Sequence, residues 1–107
     1  MIRLKHGVRM AGVCAEIVLA LHVADGVWRD SDQHVLTVTS LNDGTHSARS
    51  FHYSGRAADL RVRDIPEDVR PVLLEELRSL LGTDFEVFHE GEGTTNEHFH
   101  IEYQPLK

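Results

Sequence analysis

The 107-residue chain carries eight histidines, and histidine is both the commonest metal ligand and the usual proton carrier near neutral pH. In the run Ser50-Phe51-His52-Tyr53-Ser54-Gly55-Arg56-Ala57-Ala58-Asp59, a histidine and an aspartate lie seven positions apart. Gly55, Ala57 and Ala58 between them are small enough for a tight turn and close packing. An imidazole and a carboxylate held this way can share one zinc ion. The second run is Glu97-His98-Phe99-His100-Ile101-Glu102-Tyr103. Read as a strand, it sends Phe99, Ile101 and Tyr103 to the core and His98, His100 and Glu102 to the opposite face. Together the two runs supply His52, Asp59 and His100, three ligands for one zinc per chain with the fourth position left to water. Zinc lowers the pKa of that water from 15.7 toward about 7. Glu97 is the candidate base that takes its proton and passes it to a leaving amine, and His98 the candidate donor to the oxyanion. Alternation puts Glu97 on the wrong face, so this role requires irregular backbone just before the strand. Glu102 is either a carboxylate that orients an imidazole or a strand-edge charge. The chemistry so described is metal-assisted amide hydrolysis. A metal site closed by four ligands, with His98 as the fourth, is the structural alternative.

These residues need a scaffold. Met10, Val13, Ile17 and Leu21, with Cys14, Val18 and Ala24, follow three- and four-residue steps and predict an amphipathic helix in which Cys14 is a small core hydrophobe. Residues 34–40 alternate and are β-branched, a strand signal. Residues 41–51 are rich in Asn, Asp, Gly and Ser and read as a loop. A second strand is expected over 57–63, with Ala58, Leu60 and Val62 on one face and Asp59, Arg61 and Arg63 on the other. Arg61 and Arg63 read as a solvated face. A second helix should begin between Pro66 and Pro71 and stop at Gly82, burying Val69, Leu73, Leu77 and Leu80, flanked by Val72, Leu74 and Leu81. Strands over 85–89 and 98–103 flank a polar glycine-rich loop, 90–96. The expected fold is a small α+β domain: an antiparallel sheet of about four strands packed against two helices. His6, His22, His34 and His89 read as surface or half-buried residues, and Trp28 and Tyr103 as packing.

The ten-residue run resembles the S-x-H-x-x-G-x-A-x-D signature of the zinc D-alanyl-D-alanine carboxypeptidase and dipeptidase family, with Ser50, His52, Gly55, Ala57 and Asp59 at its fixed positions. Glu97-His98-Phe99-His100 is similar to that family's second motif. The wider group includes phage L-alanyl-D-glutamate endopeptidases and the hedgehog signalling domain, and the likeness runs from the first helix to Tyr103. It implies zinc on His52, Asp59 and His100, Glu97 as base and His98 as auxiliary stabiliser. The implied activity is a small endolysin-like metallopeptidase, carboxypeptidase or endopeptidase, acting on peptidoglycan stem peptides. A zinc-containing binding module of the same fold without turnover is the alternative. Where the family has a Tyr-Arg-Ser-like stretch whose arginine grips a substrate carboxylate, this chain has Thr39-Ser40-Leu41-Asn42. Arg49, Arg56 or His46 are the candidates to replace that arginine, and Ser50 lies beside them as a further substrate-binding candidate. His46 either lines the cleft or faces water.

The composition sets limits. With 41% hydrophobic and 26% charged residues the chain is an ordinary globular domain, and 107 residues make one domain. Eleven basic against seventeen acidic residues give a net charge of -6, which argues against nucleic acid as partner. One cysteine excludes a disulfide scaffold. No apolar run reaches the roughly 18–20 residues needed for membrane insertion. A monomer is expected, made in the cytoplasm without a clear signal peptide. Release in the manner of a phage lysis protein, or carriage in a virion, would bring it to the cell wall.

Overall fold

A computed structural model describes residues 1–41 and 55–105. The chain runs β1 (Ile2–Leu4), α1 (Ala15–Asp30), β2 (Leu36–Ser40), β3 (Ala57–Arg61), α2 (Arg70–Leu81), β4 (Phe85–Glu90) and β5 (His98–Tyr103). The strands form one sheet in the order β1-β2-β3-β5-β4. All neighbours are antiparallel except β1, which lies parallel to β2. The fold is the α+β arrangement expected from the sequence, with a fifth strand added. β1 is three residues long and mostly exposed, too short to show a period of two. Among the described residues no helix is long and apolar enough to cross a membrane.

Both helices pack on one face of the sheet. Leu36, Val38, Ala58, Leu60, Val87, Phe99 and Ile101 from the strands meet Ile17, Leu21, Ala24, Trp28, Leu73 and Leu77 from the helices in a single core. Trp28 stands edge-on to Phe99, with ring centroids 6.1 Å apart and planes at 83°, a favourable aromatic geometry. Both are packing residues, as their sequence positions suggested.

The first helix starts later and ends later than its periodicity predicts. Gly12 has a φ of 81°, which an α-helix does not admit, so Met10 and Val13 precede the helix and Met10 is exposed. Cys14 is the N-cap in extended backbone and packs half-buried against the core. The buried stripe instead continues through Val27 and Trp28. In α2, Pro71 falls in the first turn and Gly82, at φ 77°, ends it. Its buried stripe is Leu73 and Leu77, with Val69, Leu74 and Leu81 against it, while Val72 and Leu80 are exposed. The four-residue steps from Val69 stay on one face, and the three-residue step back to Leu80 returns to an angle between Val69 and Leu73, so helix period does not account for the exposure of Leu80 in the last turn.

Gly55 opens β3 with a φ of 73°. A Cβ there would stand 1.9 Å from the carbonyl oxygen of Gly12, and the Gly55 carbonyl accepts a 3.0 Å bond from the Cys14 amide. Glycine is required by both conformation and contact, and it ties the start of β3 to the start of α1.

Candidate functional site

β5 is an interior strand, and its register fixes which side chains share the face turned away from the helices. His98 stands opposite Arg61 of β3 and Glu90 of β4; His100 stands opposite Asp59 and Phe88; Glu102 stands opposite Ala57 and Glu86. This is the face that alternation assigned to His98, His100 and Glu102, and Asp59 joins them there.

His100 is the centre of the group. Its Nδ1 lies 2.6 Å from Asp59 Oδ1, across 41 residues of sequence, and its Nε2 lies 2.9 Å from Glu102 Oε1. Phe88 stacks on the ring at 27° and 6.3 Å between centroids. Burial by itself would push the imidazole's pKa down. The hydrogen bonds and charges of Asp59 and then Glu102 outweigh it and raise the pKa to about 9. His98 Nε2 is 3.0 Å from Glu90 Oε1 and 3.8 Å from Asp59 Oδ1, and its Nδ1 is 2.6 Å from the Asn96 carbonyl oxygen.

Glu97 points the other way. Its residue is only 5% exposed. Arg70 Nη1 from the first turn of α2 donates to both carboxylate oxygens, at 3.0 and 3.1 Å. His89 Nε2 is 2.5 Å from Oε2, and the Gly93 amide donates to Oε1 at 3.3 Å. Burial would raise this carboxyl's pKa, but the hydrogen bonds from His89 and Gly93 and the charge of Arg70 hold it below the usual carboxylate value. His89 is two residues beyond the core residue Val87, so the cluster lies on the helix-facing side of the sheet. The wrong-face parity read from the sequence is the one the fold adopts. Glu97 is therefore not brought together with Asp59, His98 and His100.

Arg56 is exposed next to Tyr103, whose amide donates to its carbonyl oxygen, and it lies on the parity of Ala58 and not of Asp59. His46, Arg49, Ser50 and His52 fall outside the described residues. Arg70 and His89 as partners of Glu97, and Glu90 as partner of His98, were missed in the sequence reading. Glu90 and His89 had a legible signal: pairing 85–89 with 98–103 as a hairpin places Glu90 opposite His98 and His89 opposite Phe99, on the face of Glu97.

Among the described residues no group of three or more His, Cys, Asp or Glu is placed to hold a metal ion. The reason is visible at His100, where Asp59 and Glu102 occupy opposite ring nitrogens and cannot share one ion. Asp59 Oδ1 and His100 Nδ1 are bonded directly to each other at 2.6 Å, a contact that an ion shared by both would have to replace. Glu102 on the far nitrogen is the carboxylate that a metal-bound histidine commonly has behind it. An oxygen and a nitrogen donor so arranged fit two of the positions of a zinc centre. No family model, curated protein or solved structure matches the chain.

Proposed function

We propose that the domain is a zinc-dependent peptidase that hydrolyses an amide bond in peptidoglycan stem peptides, with His52, Asp59 and His100 holding the metal. The observation that supports this most is the adjacency of Asp59 and His100, 2.6 Å apart on one face, with Glu102 behind the imidazole. Zinc would supply Lewis acidity toward a water and the scissile carbonyl. The chain's own residues do the rest. Asp59 and His100 fix the position at which the amide must lie, and Glu102 holds the His100 ring so that Nδ1 faces it. His98, 3.8 Å from Asp59 Oδ1, is placed to hydrogen-bond an oxygen that gains charge. For Glu97 to act as base its carboxylate has to leave Arg70 and His89 and cross to the other face. The protein works as a monomer, made inside the cell and delivered to the wall in the manner of a phage lysis or virion protein.

That closed position of Glu97 favours a second reading, a zinc-containing module that binds wall peptides without cutting them. Elemental analysis of purified protein and digestion of purified peptidoglycan separate the outcomes. About one zinc per chain, lost in His52→Ala and His100→Ala, with new free amines in the digest, supports the peptidase. Normal zinc and wall binding with no bond cut supports the module. Absence of zinc after zinc is added defeats both.

A further inference from the structure

At the end of the outer face beyond His98 lies a shallow groove of about 130 Å³. Lys5, Arg61 and Arg63 line it, together with Thr39, Thr95 and His98. Three other cations of this acidic chain are ion-paired, Arg29 with Asp25, Arg70 with Glu97 and Arg78 with Glu75, while Arg3 donates to the Thr37 hydroxyl. The groove cations are not ion-paired. Arg63 Nη1 donates to the Thr95 carbonyl oxygen at 3.1 Å, and among the described residues no carboxylate lies within ion-pair distance of the Lys5 or Arg61 side chains. Three carboxylates come near, and one of them, Asp59, is held by His100 at 2.6 Å and lies 3.8 Å from His98. Glu97 borders the groove but is held by Arg70 and His89, and Glu90 is held by His98. Three cations gathered without a counter-charge, in a chain of net charge -6, form a local anion site against the overall field.

The register places this groove relative to the candidate metal position. Arg61 is opposite His98 and Asp59 is opposite His100, a step of two residues, or about 7 Å along the strands. Extended peptide covers at most about 3.3–3.6 Å per residue. We propose that Lys5, Arg61 and Arg63 form the subsite for a carboxylate of the peptide ligand, one lying within about two residues of the amide seated at Asp59 and His100. The arginines supply the planar donors that a carboxylate accepts in pairs. The inference rests on the peptidase reading for the identity of its substrate and names the feature that substrate must carry.

The test is an amide-resolved NMR titration of the full chain without metal. The probes are acetyl-alanyl-glutamate, the uncharged acetyl-alanyl-glutamine amide, and inorganic phosphate. The acidic dipeptide should give saturable shifts centred on Lys5, Arg61 and Arg63, and the uncharged one none. Arg61→Gln and, separately, the exposed Lys5→Gln should each weaken binding at least tenfold with the melting temperature unchanged. Equal shifts with both dipeptides, no shifts at all, or saturation by phosphate without the dipeptide overturns the proposal. Because no metal is present, groove binding by a chain that takes up no zinc refutes the peptidase reading alone. Zinc uptake and wall cleavage with a silent groove refutes the subsite alone.

Discussion

Both ring nitrogens of His100 face carboxylates, so folding holds a proton on it up to about pH 9. A raised pKa contributes stability that is complete below the unfolded value of about 6.5 and is lost as pH rises through about 9. Metal-free protein should therefore lose on the order of 3 kcal/mol of unfolding free energy across that window. Urea melts at pH 6 and 9.5 check this, and His100→Gln should flatten the difference. Glu97 has the opposite sign. Its carboxyl is held below the ordinary value, so its contribution is present above pH 4.5 and disappears as acid protonates it. Glu97→Ala leaves half-buried Arg70 without its carboxylate, though still bonded to the Ile65 and Arg63 carbonyls, and should cost about 1–3 kcal/mol. A melt near wild type in that variant contradicts the clamp described here. The two acids differ in how far the sequence exposes them. The common face of Asp59, His98 and His100 follows from alternation along two strands. His89 reaches Glu97 across 8 residues through the β4–β5 hairpin, whereas Arg70 reaches it across 27 through the docking of α2, which no local period encodes.

Turns and short strands carried the least local signal. The start of α1 moved from Met10 to Ala15 because one glycine conformation outweighs an apolar pattern. β1 was invisible because three exposed residues have no pattern to show. The helix and strand cores were legible wherever several apolar residues repeated. Gly55→Ala should destabilise by about 2–4 kcal/mol, from left-handed backbone and the overlap with Gly12 together, read by chemical denaturation. In α2, Leu77→Ala should cost about 2–5 kcal/mol, whereas exposed Leu80→Ala should stay within about 0.5 kcal/mol. Equal effects at the two positions would mean that α2 sits on the sheet in a different rotation.

The whole molecule divides its labour across the sheet, with the apolar core, both helices and the Glu97 cluster on one side and Asp59, His98, His100 and Glu102 gathered on the other. A metal held by the second side stabilises the first by mass action. Zinc at a hundredfold over its dissociation constant should add about 2.7 kcal/mol, or about 10–20 °C in Tm for a domain of this size. A melting scan with and without zinc checks it, and His100→Ala should abolish the gain.

β5 lies between β3 and β4, so its amides are bonded on both flanks and cannot fray as an edge can. Residues 98–102 should rank among the slowest in the chain to exchange hydrogen with solvent, opening only with global unfolding. Loss of β1, at the far edge, would leave the histidine strand and its neighbours intact. A chain shorn of its first few residues would keep these imidazoles in place.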